Sequence, residues 1–192
     1  DLGGTNIAAG LVSEDGKILK QASTPTMNER DAIEIVKDMA MLVEKLAKDY
    51  GIFAKGYGCD IGNEQQVIDI FNDIDTTGKT VDTLVLNAAD LGINPEDPAA
   101  GLDFWTVSVD RYRRVLETNL VWNFMIIRQA AIRMREQGEG SVVFLSSNTA
   151  YRAIPNRMAY CASKGGINSL SKAMAVDLGK FGIRSNVVLP GT

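Results

Sequence analysis

Apolar and polar positions follow two different rhythms along this chain, and the change falls near Gly51. Residues 5–12 and 17–23 flank Asp15-Gly16, a favoured tight-turn pair, and are predicted to form an antiparallel hairpin. From residue 31 to 50, Ile33, Val36, Ala40, Val43, Ala47 and Tyr50 recur at spacings of three and four, predicting an amphipathic helix that Gly51 is suited to end. After Gly51, strands alternate with helices, the pattern of a parallel sheet covered by crossovers. A short strand is expected over 57–59. Asn63, with Gln66 three residues on, is a candidate cap for a helix whose inner face is Val67, Ile70, Phe71 and Ile74. Residues 83–86 read as a buried strand. Ser108 or Val109 starts a long helix reaching about Gln137, apolar around most of its circumference from Leu120 to Ile127. A strand over 141–147, a helix over 157–181 and a last strand over 183–189 follow, and Pro190-Gly191 stops that strand. There is no internal repeat.

Composition narrows the function classes. With 192 residues, 45% hydrophobic and 23% charged, the chain has room for one ordinary globular domain, or for one and a fragment of another. Lys and Arg total 20 against 24 for Asp and Glu, a net charge of −4 with no basic stripe, which argues against a nucleic-acid partner. No apolar run approaches the roughly 18 to 20 residues that cross a bilayer, and the first residues lack the parts of a signal peptide, so no membrane partner and a cytoplasmic location are expected. The chain opens at Asp1 rather than Met, as a processed or trimmed segment does. Its lack of histidine excludes Ser-His-Asp and Cys-His nucleophiles together with histidine metal sites. Cys59 and Cys161 are too few for a cysteine zinc site; they are expected to be reduced thiols, and no metal is expected. The apolar face from Trp122 to Ile127 points to a homo-oligomer.

Tyr160 and Lys164 stand four apart on the predicted helix, so both share one face. A cation near a phenol pulls its pKa down from about 10 toward neutrality, which makes this pair the best acid/base candidate in a chain without histidine. An exposed surface pair is the alternative. Ser147 stands at the carboxyl end of the strand before that helix, where open parallel sheets bind ligands. It also reads as an ordinary turn serine, and Ser146 beside it as a cap. Asn87-Ala88-Ala89 and Pro190-Gly191 end two further strands, where small residues let backbone approach a flat ligand. Asn119 is a polar side chain in an apolar stretch, and its amide must find a partner.

From about residue 55 to 192 these pieces, Cys59-Asp60, Asn87-Ala88-Ala89, Asn119, Ser146-Ser147, Tyr160-Cys161-Ala162-Ser163-Lys164 and Pro190-Gly191, resemble the middle of a short-chain dehydrogenase/reductase in order and spacing. The resemblance implies an NAD- or NADP-dependent oxidoreductase that interconverts a carbonyl and an alcohol. It implies that Tyr160 exchanges the proton, that Lys164 lowers its pKa and holds the nicotinamide ribose, that Ser147 positions the substrate oxygen and that Asn119 anchors a relay water. Asp60 would lie by the adenine, Asn87, Ala88, Ala89, Pro190 and Gly191 along the cofactor, and residues 149–157 on the substrate side. The family's glycine-rich turn ahead of Cys59-Asp60 is absent, and so is its last strand after Thr192.

Residues 1–52 instead resemble the opening of a ROK-family sugar kinase, with Asp1-Leu2-Gly3-Gly4-Thr5-Asn6 as a phosphate-binding signature. The expected architecture is therefore composite: an α/β Rossmann-like parallel sheet with flanking helices over 53–192, its first βαβ unit replaced by the antiparallel hairpin and helix of 1–52. An engineered chimera, a gene fusion with truncation or an incompletely assembled sequence would each give such a chain. The alternatives to an oxidoreductase are an inactive chimera and an ATP-phosphate binder acting through Gly3, Gly4 and Thr5.

Overall fold

The computed structural model describes residues 6–13, 15–27, 29–93 and 103–191. The kinase-like residues Asp1 to Thr5 lie outside them. The chain divides into two compact units, residues 1–59 and 60–192.

In the first unit, β1 (Asn6–Val12) and β2 (Ile18–Pro25) pair antiparallel, with Asn6 opposite Pro25 and a register shift at Leu11/Val12. Gly16 takes φ 83°, the left-handed conformation a tight turn needs, and its N–H donates to Ser13 O at 2.9 Å. Helix α1 (Ala32–Tyr50) begins where the Asp31 side chain accepts from Ile33 N, and ends at Gly51 in the left-handed region. Most of its apolar stripe is exposed: Ile33 is 63% exposed, and Val36, Val43 and Tyr50 are also exposed, while Ala47 of the stripe is buried with Leu46 and with Ile7 of β1. The strand expected over 57–59 is absent, and residues 52–60 run without regular structure. An extended segment is held by its ladder, and no described strand pairs with this one.

The second unit is built on a three-stranded parallel sheet, β3 (Thr83–Leu86), β4 (Gly140–Leu145) and β5 (Ile183–Val188), in the order β3-β4-β5. Thr83 pairs with Ser141, and Gly140 with Ile183. Helix α2 (Glu64–Thr76) is capped by the Asn63 side chain on Gln65 N and Gln66 N. Gln66 reaches back past Asn63, its Oε1 accepting from Asp60 N at 2.8 Å. The bidentate pair of Arg133 with Asp75, at 2.7 and 2.5 Å, ties α2 to the helix that carries Arg133, and the guanidinium holds the Asp75 carboxyl below the usual carboxylate range.

The long helix predicted from residue 108 forms as α3 (Val109–Leu116), a π-helical turn (Glu117–Trp122) and α4 (Asn123–Gln137). The wide turn centres on buried polar groups: Asn119 is fully buried, and its carbonyl accepts from Asn123 Nδ2 at 2.8 Å. Trp122 packs over Gly62, where a Cβ would come within 2.8 Å of the indole, so part of the face expected to seek a second copy is covered from within. Helix α5 (Met158–Leu178) runs between β4 and β5. Val142 and Phe144 at the centre of the sheet, Ala130 and Met134 on α4, and Ile167 on α5 make the core. Gly182, at φ 74°, enters β5 where a Cβ would stand 2.2 Å from Gly138 O; any side chain there would displace backbone.

Candidate functional site

Parallel strands that end together leave a crevice at their carboxyl ends, because the chain leaves each strand toward a covering helix. Here β3, β4 and β5 open into a cleft of about 770 Å³ lined by Asn87 and Ala89 after β3, Ser146 and Ser147 after β4, and Pro190 and Gly191 after β5. Tyr160 and Lys164 of α5 complete its wall.

Lys164 is 2% exposed, and its Nζ donates to Leu145 O at 2.7 Å while standing 5.5 Å from the centre of the Tyr160 ring. Burial holds its pKa below the ordinary lysine value. The four-residue spacing has thus produced a packed pair against a strand end, and the exposed alternative is set aside. The two serines divide. Ser146 is buried and donates to Lys164 O at 3.1 Å, fastening the end of β4 to α5. Ser147 lines the cleft, and its Oγ accepts from Thr149 N at 3.2 Å, capping the 3-10 turn 148–150. The strand itself ends at Leu145; Ser146 N still donates to Val188 O at 2.9 Å, and the backbone turns away at Ser147.

Asn119 does not reach this cleft. Its Oδ1 accepts from Asp90 N at 2.8 Å, and its Nδ2 donates to Asp90 O and to Ser163 Oγ, each at 2.9 Å. Ser163 Oγ donates in turn to Tyr160 O at 2.8 Å. One buried amide therefore clamps the loop after β3 to the turn of α5 that carries Tyr160. Its neighbour on that loop, Asp90, also accepts from Gly92 N and pairs with Arg114 at 3.8 Å. Asp90 stands outside the residues the sequence singled out, and Ser163 appears there only as part of the Tyr160–Lys164 stretch, with no role of its own; their signal was proximity to Asn87-Ala88-Ala89 and to Lys164.

Two expected cofactor residues stand apart from the cleft lining. Ala88 is exposed beside its neighbours Asn87 and Ala89, which do line it. Asp60 accepts from Gly62 N at 2.9 Å, turning the chain into α2. Arg152 lines the cleft, on the segment expected to face substrate, and was not singled out in the sequence. Among the described residues no three Cys, Asp or Glu side chains could together hold a metal ion, and no helix is long and apolar enough to cross a membrane.

A family model described as enoyl-(acyl carrier protein) reductase matches residues 32–192. The match takes in α1, the helix that the kinase resemblance had claimed. The trans-4-hydroxycyclohexanecarboxylate dehydrogenase of Sinomonas cyclohexanicum is 30% identical over 190 residues, 99% of this chain and 63% of its own length. An NAD+-bound xylitol dehydrogenase superposes with a TM-score of 0.69 at 27% identity, covering 83% of this chain and 57% of that one. A gluconate 5-dehydrogenase of Burkholderia cenocepacia, in complex with NADP and tartrate, does so at 0.69 with 25% identity, covering 81% and 57%. The chain thus spans less than two thirds of the length of these proteins. The kinase resemblance and the composite origin it implied draw no support from these matches.

Proposed function

The chain belongs to the short-chain dehydrogenase/reductase family, and from that premise we propose that it interconverts an alcohol and a carbonyl with NAD or NADP, using Tyr160 as acid and base. The observation that carries the reading is the anchored Lys164 ammonium beside the Tyr160 ring, in a cleft that Ser147 also lines.

The cleft suits the nicotinamide end of such a cofactor. Asn87, Ala89, Pro190 and Gly191 present short side chains and open backbone, and Lys164 keeps two N–H donors beyond the one given to Leu145 O. At the phosphate end the described residues offer no glycine-rich turn, and Asp60 is engaged with Gly62. Solved relatives hold NAD+ in one case and NADP in another, and nothing in this cleft selects between them. The bound dinucleotide supplies or removes the hydride. In the reductive direction the Tyr160 O–H gives its proton to the substrate oxygen, and Ser147 Oγ–H donates to the same oxygen. In the oxidative direction Tyr160 takes the alcohol proton as the carbonyl forms. Lys164 supplies positive charge where phenolate and alkoxide develop. Asn119 acts through Asp90 and Ser163, as a positioning residue. A homo-oligomer joined through the exposed Val121 and Phe124 belongs to the same proposal.

The test is NADH or NADPH oxidation with a panel of ketones and aldehydes. Tyr160→Phe is expected to lower kcat by about 10²- to 10⁴-fold with an unchanged circular dichroism spectrum. Equal rates for the two proteins would overturn the assignment.

A further inference from the structure

We propose that the substrate taken by this cleft carries a carboxylate, held by Arg152 with the Thr149 hydroxyl as a second donor; the proposal rests on the oxidoreductase reading above. The first observation is the sign of the charge. The chain carries 24 acidic residues against 20 basic, yet the charged side chains lining the cleft are Lys164 and Arg152, with no carboxylate among them. Lys164 is turned into the fold and bonded to Leu145 O.

Arg152 is different. Its backbone N–H donates to Asn148 O at 2.9 Å, which fixes its place just after the 3-10 turn, but its guanidinium is exposed and makes no ion pair or hydrogen bond with the described residues. Other arginines of this unit meet carboxylates, Arg128 with Glu64 and Arg133 with Asp75. A guanidinium that meets no carboxylate among the described residues, on the wall of a cleft, matches a planar carboxylate through two parallel N–H donors.

The second observation is Thr149. It lines the same wall, is buried, and its Oγ1 has no hydrogen-bond partner among the described residues. Buried hydroxyls are normally paired, so one left unpaired beside a cleft gains from an acceptor brought by the ligand. Leu91, Ala153 and Ile154 give the same cleft an apolar stretch for the carbon body. The ligand these features fit is an oxo or hydroxy acid of modest size. The rival anion is a phosphate of the cofactor.

The full chain is titrated by calorimetry with 4-oxopentanoate and its methyl ester, with and without NAD or NADP. The carboxylate is expected to bind about tenfold or more tightly than the ester. Arg152→Gln is expected to erase that preference and Arg152→Lys to restore part of it. Thr149→Val is expected to reduce the preference a few-fold without lowering Tm, since a buried unpaired hydroxyl costs stability rather than adding it. Equal binding of acid and ester, absence of binding by both, or a preference that survives Arg152→Gln would overturn the proposal. So would an Arg152→Gln protein that loses affinity for NADP and not for the acid. Turnover of 4-hydroxypentanoate and its ester is followed separately: a binding preference without turnover of either would overturn the oxidoreductase reading and leave the carboxylate site standing.

Discussion

Helices α1 and α2 are equally legible as amphipathic helices, and both are capped by an Asp or Asn side chain, yet they meet different fates. In α2 the predicted inner face delivers Val67 and Phe71 into a core. In α1 four of the six predicted inner residues stay exposed, and Leu46 and Ala47 are what is buried. The difference lies in what each helix has to pack against. Among the described residues the second unit provides a three-stranded parallel sheet together with α3, α4 and α5, whereas the first unit provides one two-stranded hairpin, which alone buries little. Helical periodicity specifies the element, and burial depends on a second surface.

The sharpest way to test this contrast is a large-to-small change at its buried extreme. Phe144→Ala, at a fully buried position on the central strand, is expected to cost the second unit about 3–5 kcal/mol in urea unfolding. A loss below about 1 kcal/mol would mean that this sheet is no better packed than the hairpin.

A smaller effect of opposite sign is expected at Lys164. Burial lowers its pKa, so between that lowered value and the ordinary lysine value of about 10.4 the unfolded chain binds more protons than the folded one. The destabilisation from this residue is therefore complete below the folded-state pKa and fades as pH rises toward 10. Lys164→Met is expected to add about 1 kcal/mol at pH 7 while abolishing turnover, and to flatten the alkaline part of the stability profile. Denaturant midpoints at pH 7 and pH 10 check this; a variant less stable than the parent at pH 7 would contradict it.

The smallest effect belongs to the exposed side of the comparison. Val36→Ser on α1 is expected to change stability by no more than about 0.5 kcal/mol, read from the α1 amides by hydrogen exchange. A loss of 2 kcal/mol would show that a covering surface exists.

Much of the site was legible because its residues fall at positions that strand and helix geometry bring together. Tyr160 and Lys164 share a helical face by spacing alone, and Ser147, Asn87 and Pro190-Gly191 follow strands whose ends a parallel sheet aligns. Asn119 was legible as a buried amide needing partners. Its partners, Asp90 and Ser163, were not, because they lie 29 and 44 residues away and pattern reading carries no information across such distances. The π-helical turn was equally hidden, since apolar spacing does not distinguish a wide turn from a regular one. Residues 57–59 show the converse: their composition allows a strand, and among the described residues no strand pairs with them.

By itself the sequence determined the order of strands and helices in residues 60–191, the absence of histidine chemistry and the pairing of a tyrosine with a lysine one turn apart, because these depend on residue identity and on periods of two and 3.6. Tertiary structure decided which serine is fastened to α5 and which caps the turn beside the cleft, where Asn119 spends its amide, that Arg152 meets no carboxylate among the described residues, and that most of the apolar stripe of α1 is exposed. Each of these depends on which surfaces meet across the fold, and contact between distant segments is set by packing rather than by local preference.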